Sequence, residues 1–194
     1  MRLVGPTLAL RPPVADDAEA LFALGSDPEV TRWFSWGPYR AIDEPRAWIA
    51  AQPDAVARGT ALALVMVHRD AGLVGVTELA DWSARDRRAV VGTWFAARWW
   101  GSGLNAEAKR LVCLLAFEHC GLERLGAYAD VTNHRSHAAL TKAGFAREGV
   151  LRAFHRHGDH QKDVVVFSLL RAEWTTPIAA RLEGDVPAAF RPPT

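Results

Sequence analysis

A glycine turn stands between an apolar strand and a long helix in the middle of the chain. The run VVGTWFAA predicts the strand over residues 90–96, RWWGSG forms the turn, and the apolar spacing that follows predicts a helix over residues 104–120. Gly101 and Gly103 have no Cβ, so backbone N–H groups can converge on one point there. The helix adds free N–H groups and the positive end of its dipole. The turn therefore suits a phosphate or diphosphate, with an ordinary close-packed turn as the alternative.

The order of the predicted elements indicates a mixed sheet. One strand is followed by two helices, three strands, a helix, a strand, a helix and two strands. This order differs from the regular alternation of a Rossmann dehydrogenase and predicts an α/β fold with helices embedded among mostly sequential strands. The predicted strands cover residues 8–14, 61–68, 72–81, 90–96, 124–131, 145–157 and 160–170, and the predicted helices cover residues 15–27, 43–58, 104–120 and 133–144.

Length and composition fit one globular domain. The chain has 194 residues, 49% hydrophobic and 23% charged, and its formal net charge of +1 offers no basis for nucleic-acid binding. No apolar run reaches the roughly 20 residues of a membrane helix and no signal peptide is recognisable, so we expect a cytoplasmic protein without a membrane partner. Cys113 and Cys120 are expected as buried thiols. We predict a domain over residues 1–174 and a loose C-terminal arm over residues 175–194, which contain four prolines.

Several segments resemble one enzyme superfamily. Arg98 and the two glycines of the turn resemble the Arg/Gln-x-x-Gly-x-Gly/Ala signature of the GNAT acyl-CoA-dependent N-acyltransferases. Residues 130–152 resemble the second conserved block of that family, in which an Asn is followed by a Ser and then by Gly-Phe. Residues 30–39 and 163–174 resemble its RimJ/RimL-like subgroup, the ribosomal-protein N-terminal acetyltransferases. The matches come in the family's order over residues 7–174.

The resemblance implies the GNAT fold, an α/β (α+β) architecture. Its mixed, mostly antiparallel sheet of about seven strands splays at the cofactor site and is flanked by about four helices. The implied donor is acetyl-CoA: the turn would wrap the diphosphate of coenzyme A, and free backbone groups of the splayed strand would pair with the pantetheine amides. The implied cofactor-binding residues are Trp94, Phe95, Ala96, Arg98, Trp100, Gly101, Ser102, Gly103, Leu104, Asn105, Asn133 and Ser136.

The catalytic candidates lie on two strands and at one helix start. Asn133 suits an N-cap. Ser136 matches a serine that lies near the thioester sulfur in RimL-like proteins and is the candidate acid for the leaving thiolate, with an ordinary first-turn serine as the alternative. Leu140 stands where many smaller GNAT enzymes carry a tyrosine acid. The candidates near the base position are Glu78, among apolar neighbours that raise a carboxyl pKa, and Tyr128 and Asp130 on the strand that leads to Asn133, with an ordered water as the alternative.

The early segment PEVTRWFSWGPYR is rich in aromatic residues and is broken by a Gly-Pro pair. We expect Trp33, Trp36 and Tyr39 to wall the acceptor site together with Glu78, or else to form a contact in a homodimer.

Three histidines, His155, His157 and His160, flank a predicted hairpin turn. Their spacing alone is compatible with a metal cluster. Because no spacing typical of a catalytic zinc site accompanies them, we expect a solvated turn and no metal.

The predicted function is transfer of an acetyl group from acetyl-CoA to a primary amine, by direct attack in a ternary complex. A protein N-terminus is the favoured acceptor. One alternative keeps the chemistry but changes the acceptor to a small amine or an antibiotic. Another is a non-catalytic acyl-CoA-binding regulatory domain, because Leu140 replaces the tyrosine acid and Tyr128 stands where some amino-terminal acetyltransferases of the family carry a glutamate.

Overall fold

Nine strands form one open sheet in the computed structural model of the protein, which describes residues 1–192. The strands are β1 (Arg2–Val4), β2 (Leu8–Arg11), β3 (Leu62–His68), β4 (Gly72–Ser83), β5 (Arg88–Phe95), β6 (Arg124–Asp130), β7 (Ala146–His157), β8 (His160–Leu170) and β9 (Arg181–Glu183). The helices are α1 (Ala18–Gly25), α2 (Pro28–Thr31), α3 (Asp43–Ala57), α4 (Leu104–Leu114, continued by a wider π turn over Leu115–His119) and α5 (His134–Lys142).

The sheet has the order β7-β8-β6-β5-β4-β3-β2-β1-β9, and every neighbouring pair is antiparallel except β5 and β6. These two strands run parallel and pair only where residues 88–90 lie beside residues 124–126. Beyond that point they separate, while β5 stays paired with β4 as far as Phe95. The predicted mixed, mostly antiparallel sheet with a splay is confirmed.

Both faces of the sheet are covered. The central strand β3 reads LALVMVH, the near-continuous apolar run that is typical of a strand buried on both sides. Leu64 and Met66 point into a core shared with α4 and α5. Val65 points the other way, into a core shared with α1 and α3, where Leu21 and Ile49 meet it.

The structure corrects the predicted number of elements and the predicted C-terminal arm. The sheet has nine strands rather than about seven, and there are five helices rather than about four. The two extra strands are β1 and β9, which pair with each other across almost the whole length of the chain. The prediction of a loose arm after residue 174 is wrong for the described residues, since β9 extends the sheet and Phe190 is fully buried.

Candidate active site

The site begins with the open side of β5. The N–H of Ala96 donates to the carbonyl of Val74 on β4 at 3.0 Å. Because alternate residues of a strand direct their backbone groups to opposite sides, those of Thr93 and Phe95 are directed to the side that β6 has left. The Phe95 carbonyl already accepts from Nε1 of Trp100 at 3.1 Å. The amide of Ala96 is therefore not free, contrary to its predicted role as a contact of the splayed strand.

A cleft of about 1150 Å³ passes through the split between β5 and β6. Its wall includes Leu21 from the α1 face of the sheet and Cys113 from the α4 face. Most predicted site residues line it: Trp33, Trp36, Tyr39, Glu78, Trp94, Phe95, Trp100, Gly101, Gly103, Asn105, Tyr128, Asn133 and Ser136. Four predicted cofactor residues are not part of the wall: Ala96, Arg98, Ser102 and Leu104.

The glycine turn has the conformation expected of an anion cradle. Gly101 and Gly103 have φ values of +78° and +89°, a region that favours glycine, and a Cβ at either position would meet nothing within 4 Å. Gly103 is also the N-cap of α4 and provides no side-chain cap. Among residues 1–192, the N–H groups of Gly101, Gly103 and Asn105 have no hydrogen-bond partner. Open space and free donors thus coincide at the start of a helix.

Asn105 adds a second free polar group beside the turn. Its Oδ1 is buried and has no hydrogen-bond partner within the described part of the chain. A buried acceptor of this kind costs free energy until a donor reaches it. Together with the free N–H groups, it fits a ligand that carries both a diphosphate and amide or hydroxyl donors, as coenzyme A does.

Two basic residues that the sequence analysis did not select also line this part of the cleft. The Arg135 guanidinium lies over the Trp100 ring, 3.4 Å from its centroid, and desolvation lowers the pKa of Arg135. Lys109 projects from α4 and is only 7% exposed. In a helical pattern both residues look like ordinary surface positions, so nothing in the sequence distinguished them.

The start of α5 is held by short-range hydrogen bonds that place Ser136 on the wall of the cleft. Oδ1 of Asn133 accepts from the N–H of Ser136 at 3.1 Å, so the predicted N-cap is confirmed. The Asp130 carboxylate accepts from both the N–H and the hydroxyl of Thr132, and His137 contacts the Asp130 carbonyl at 2.9 Å. Oδ1 of Asp130 is therefore engaged by the turn, while its Oδ2 makes no hydrogen bond within residues 1–192. Within the described residues, the Ser136 hydroxyl makes no hydrogen bond.

Glu78 and Tyr128 face the cleft from the strands on either side of the split. Desolvation, with a smaller contribution from the charge of Asp81, raises the pKa of Glu78 above its usual range. Tyr128 packs against Phe154 at 5.0 Å and against His155 at 5.8 Å between ring centroids. The environment of Glu78 thus raises the pKa of its carboxyl in the direction that suits a general base.

An aromatic wall stands opposite, built on the segment between α2 and α3. Trp36 is at its centre, with ring centroids 5.4 Å from Phe34, 5.1 Å from Tyr39 and 5.6 Å from Trp94 of β5. The Tyr39 ring packs directly on the backbone of Gly25 at the end of α1, where a Cβ would come within 2.6 Å of the ring. This close approach fastens the segment to the scaffold.

Charges are distributed unequally along the cleft. On the side of the aromatic wall are three carboxylates, those of Glu44, Glu78 and Asp81, and a further pair of charged groups, Asp130 of β6 and Lys162 of β8, also lines the cleft. On the side of α4 and α5 the charged groups are basic: Lys109, Arg110, Arg135 and Lys142. The cleft is therefore suited to an anionic ligand on one face of the sheet and a cationic one on the other.

Two of the three histidines in the hairpin, His155 and His157, also line the cleft, whereas His160 does not. The expectation of a solvated turn therefore holds for His160 but not for the two histidines in the cleft wall. No group of three potential metal ligands is found over residues 1–192. None of the helices in this range is long and apolar enough to cross a membrane.

A split sheet, a glycine turn with free N–H groups and a cleft between them define an acyl-CoA-dependent acyltransferase. A profile of the family described as "Acetyltransferase (GNAT) domain" matches residues 7–146. The chain therefore belongs to the GNAT acetyltransferases, and the predicted family is confirmed. It is an acyl-CoA-dependent N-acetyltransferase rather than a non-catalytic binding domain.

Characterised and uncharacterised relatives agree with this family. YoaA of Bacillus subtilis, an uncharacterized N-acetyltransferase, is 30% identical over 168 residues, which cover 84% of this chain and 93% of YoaA. YdaF of the same bacterium, whose name assigns it provisionally to ribosomal N-acetylation, is 35% identical over 54% of this chain and 57% of its own. RimL, a ribosomal L7/L12 α-N-protein acetyltransferase solved with coenzyme A, superimposes with a TM-score of 0.75 at 19% identity, covering 86% of this chain and 96% of RimL. The match to YdaF supports the RimJ/RimL-like subgroup, and the likeness to RimL is one of fold.

Proposed function

We propose that the protein transfers the acetyl group of acetyl-CoA to a primary amine in a ternary complex, with a protein N-terminus as its acceptor. The observation that carries this proposal is the polarity of the cleft. Basic groups and free N–H groups meet on the α4 face, where a diphosphate would be neutralised. Carboxylates and aromatic rings meet on the other face, where they attract an ammonium group and cover its apolar neighbours.

The two faces supply the chemistry of a direct attack. Glu78, with its raised pKa, accepts the proton that the ammonium must lose before its nitrogen can attack the thioester carbonyl. An N–H on the open side of β5 stabilises the oxygen of the tetrahedral intermediate. As the carbon–sulfur bond breaks, the Ser136 hydroxyl donates a proton to the leaving thiolate and regains one, through solvent, as the acylated nitrogen loses its own to form the amide. Tyr128 lies on the strand opposite β5, within the same cleft.

An acyl-enzyme on cysteine is disfavoured by the state of the one thiol in the cleft. Both cysteines are free and buried, as the sequence predicted. Desolvation, which a charge interaction with Lys109 only partly offsets, raises the pKa of Cys113 to about 12. Because the thiolate is the nucleophile, a thiol with such a pKa is inert at neutral pH. The acetyl group therefore passes directly from sulfur to nitrogen.

A small amine is the second candidate acceptor, because the acidic and aromatic face would also hold a free organic cation. Spermidine N-acetyltransferase from Vibrio cholerae, solved with coenzyme A and spermine, superimposes with a TM-score of 0.75 at 18% identity, covering 87% of this chain and 98% of that enzyme. At this identity the likeness is one of fold alone, and a panel of acceptors distinguishes the two candidates.

Release of free thiol from acetyl-CoA tests the proposal directly. The purified protein is incubated with acetyl-CoA and a panel of acceptors that contains peptides with free or blocked N-termini, polyamines and aminoglycosides. We expect turnover with the free N-terminal peptides and none with their blocked counterparts. Turnover with polyamines or aminoglycosides alone would replace the peptide acceptor by the small amine, and no turnover with any acceptor would contradict the proposal.

The pH dependence tests Glu78. In the free enzyme its carboxyl must be ionised to accept a proton, so kcat/KM should rise with pH through a pKa above the usual glutamate range. Glu78→Gln should lower kcat about a hundredfold and abolish this rise of kcat/KM with pH. Any rise that comes from deprotonation of the amine substrate should remain. A carboxyl whose pKa is raised by folding loses its contribution to stability as pH rises through that pKa, so the variant should be no less stable at pH 7. An unchanged pH profile would exclude Glu78 as the base.

A further inference from the structure

Lys109 is a buried cation without an anion. It lies on α4, is 7% exposed and forms part of the cleft wall. Over residues 1–192 its ammonium group makes no hydrogen bond and no ion pair. Desolvation lowers its pKa to about 8, against a smaller opposing effect of Cys113. An ammonium group in such a place destabilises the empty protein, and a thioether or alkyl side chain of similar volume would be more favourable.

No charged group of the surrounding elements serves as its partner. Glu107, two residues earlier on α4, accepts instead from the N–H groups of Thr7 and Leu8 at 2.7 and 2.8 Å. Oδ1 of the Asp130 carboxylate on β6 accepts from Thr132, and the basic groups that act on this carboxylate are Lys162 and His157. The other titratable groups on the cleft wall nearby cannot neutralise an ammonium: Arg110 and Cys113 on α4, Tyr128 on β6, and Arg135 and Lys142 on α5. The missing anion must come from a ligand.

The direction of the side chain indicates which part of a ligand it meets. Lys109 lies five residues beyond Leu104, the first residue of α4, which is about 7.5 Å along the helix axis. Long helical side chains lean back toward the helix N-terminus, so its ammonium is carried toward the glycine turn. Asn105, one turn earlier on the same face, has the buried and unpartnered Oδ1. A cation and an acceptor that have no partner therefore lie on the face of α4 that leads to the free N–H groups of the turn.

We propose that Lys109 is a specificity residue for the donor: its ammonium pairs with the diphosphate of the acyl-CoA, while Oδ1 of Asn105 accepts from a donor on the adjoining pantetheine arm. The inference rests on the proposed use of acetyl-CoA. It adds a buried ion pair to the free backbone N–H groups of the turn. It also predicts that the enzyme discriminates strongly against thioesters that lack the diphosphate.

The first test compares two donors in Lys109→Met, which keeps the volume and removes the charge. With acetyl-CoA the variant should show a KM for the donor that is about ten- to a hundredfold higher, the range expected for one hydrogen bond to a charged group. With S-acetylpantetheine, which has no diphosphate, wild type and variant should have equal KM. Equal losses with both donors would overturn the inference, because a packing role does not depend on the diphosphate.

The second test counts protons. Near pH 8 the free ammonium of Lys109 is about half protonated, and pairing with a diphosphate would complete its protonation. Titration calorimetry with S-methyl-coenzyme A, which has no ionising thiol, in buffers of different ionisation enthalpy should reveal uptake of about half a proton by wild type and none by Lys109→Met. Equal uptake would overturn the inference. Failure of wild type to bind would instead contradict the proposed function.

The stability of the variant separates these outcomes from misfolding. Because Lys109→Met removes an unpaired buried charge, the melting temperature of the free protein should stay the same or rise. Coenzyme A should then raise the melting temperature of wild type more than that of the variant. A lower melting temperature of the free variant would indicate that Lys109 has a partner in the empty protein, which contradicts the inference.

Discussion

Individual side chains around the cleft divide into those that the fold already uses and those that it leaves free. Oδ1 of Asn133 and Oδ1 of Asp130 accept hydrogen bonds at the start of α5, so removal of either side chain should weaken that helix. The hydroxyl of Ser136 and Oδ1 of Asn105 have no partner among the described residues. A polar group that is left free beside a cleft is the better candidate for a direct role with the substrate, because the fold gives it no other use.

Ser136→Ala should lower kcat by about tenfold to a hundredfold. General acid help spans roughly 10²–10⁴-fold, and the low end applies because a thiolate with a pKa near 8.5 is already a good leaving group. Coenzyme A affinity should change little, since the variant keeps the N–H that Asn133 caps. Thr141→Ala, at an exposed hydroxyl on the same helix, is the matched control and should leave kcat unchanged. Full kcat in Ser136→Ala would remove Ser136 from the mechanism.

Trp33→Ala should raise the KM for the acceptor by up to about tenfold while the KM for acetyl-CoA stays constant. Trp33 lines the cleft on the acidic face, under the guanidinium of Arg32 at 4.9 Å, and an aromatic contact of this kind is worth roughly 0.5–1.5 kcal/mol. Initial-rate kinetics with both substrates varied measures the two constants separately. If neither constant moves, the aromatic segment has a structural role or forms a contact between copies of the chain.

At the scale of elements, the turn before α4 combines two requirements that only glycine meets together. The backbone at Gly103 lies in the left-handed region, and the space where a side chain would stand is open. The strain of a branched side chain at such φ is about 1–3 kcal/mol, and the same side chain would also occupy the position of the anion. These two effects can be separated, because Gly72 has a similar φ of +73° and equally open surroundings at the start of β4, outside the wall of the cleft.

Gly103→Val should therefore weaken coenzyme A binding by at least about tenfold, whereas Gly72→Val should leave it unchanged. Both variants should lose similar stability, because both place a β-branched residue at positive φ. Titration calorimetry gives the affinities and urea unfolding gives the stabilities. Wild-type affinity in a folded Gly103→Val would exclude the turn as the diphosphate site.

The elements that the sequence predicted are those whose signals are local. The apolar run of β3, the glycine turn and the cap at Asn133 each occupy a few consecutive residues. By contrast, β1 and β9 have three residues each, too few to display an alternating pattern, and each depends on a partner about 180 residues away. The burial of Lys109 could not be predicted from the sequence either. It follows from how α4 packs in three dimensions, whereas a lysine in a helical pattern is expected at the surface.

For the whole molecule, the split in the sheet connects two faces that have different cores. Trp36 and Glu78 reach the cleft from one face, and Gly101 and Lys109 reach it from the other. Two substrates can therefore enter from opposite faces and meet in the split without displacing each other. This arrangement agrees with a ternary complex, in which neither substrate has to leave before the other binds.

The C-terminal segment packs against the rest of the fold, and a substitution at Phe190 measures how much this packing contributes to the free energy of unfolding. Phe190 is fully buried and meets Trp82 of β4 edge-on at 4.8 Å, although more than a hundred residues separate the two along the chain. Phe190→Ala should lower the free energy of unfolding by about 3–5 kcal/mol, the usual loss for a buried phenylalanine. Phe154→Ala is the matched control, since Phe154 is 44% exposed, and should lose much less. Urea unfolding measures both losses: a loss for Phe190→Ala no larger than that for Phe154→Ala would mean that burial of the Phe190 ring contributes little to the stability of the fold.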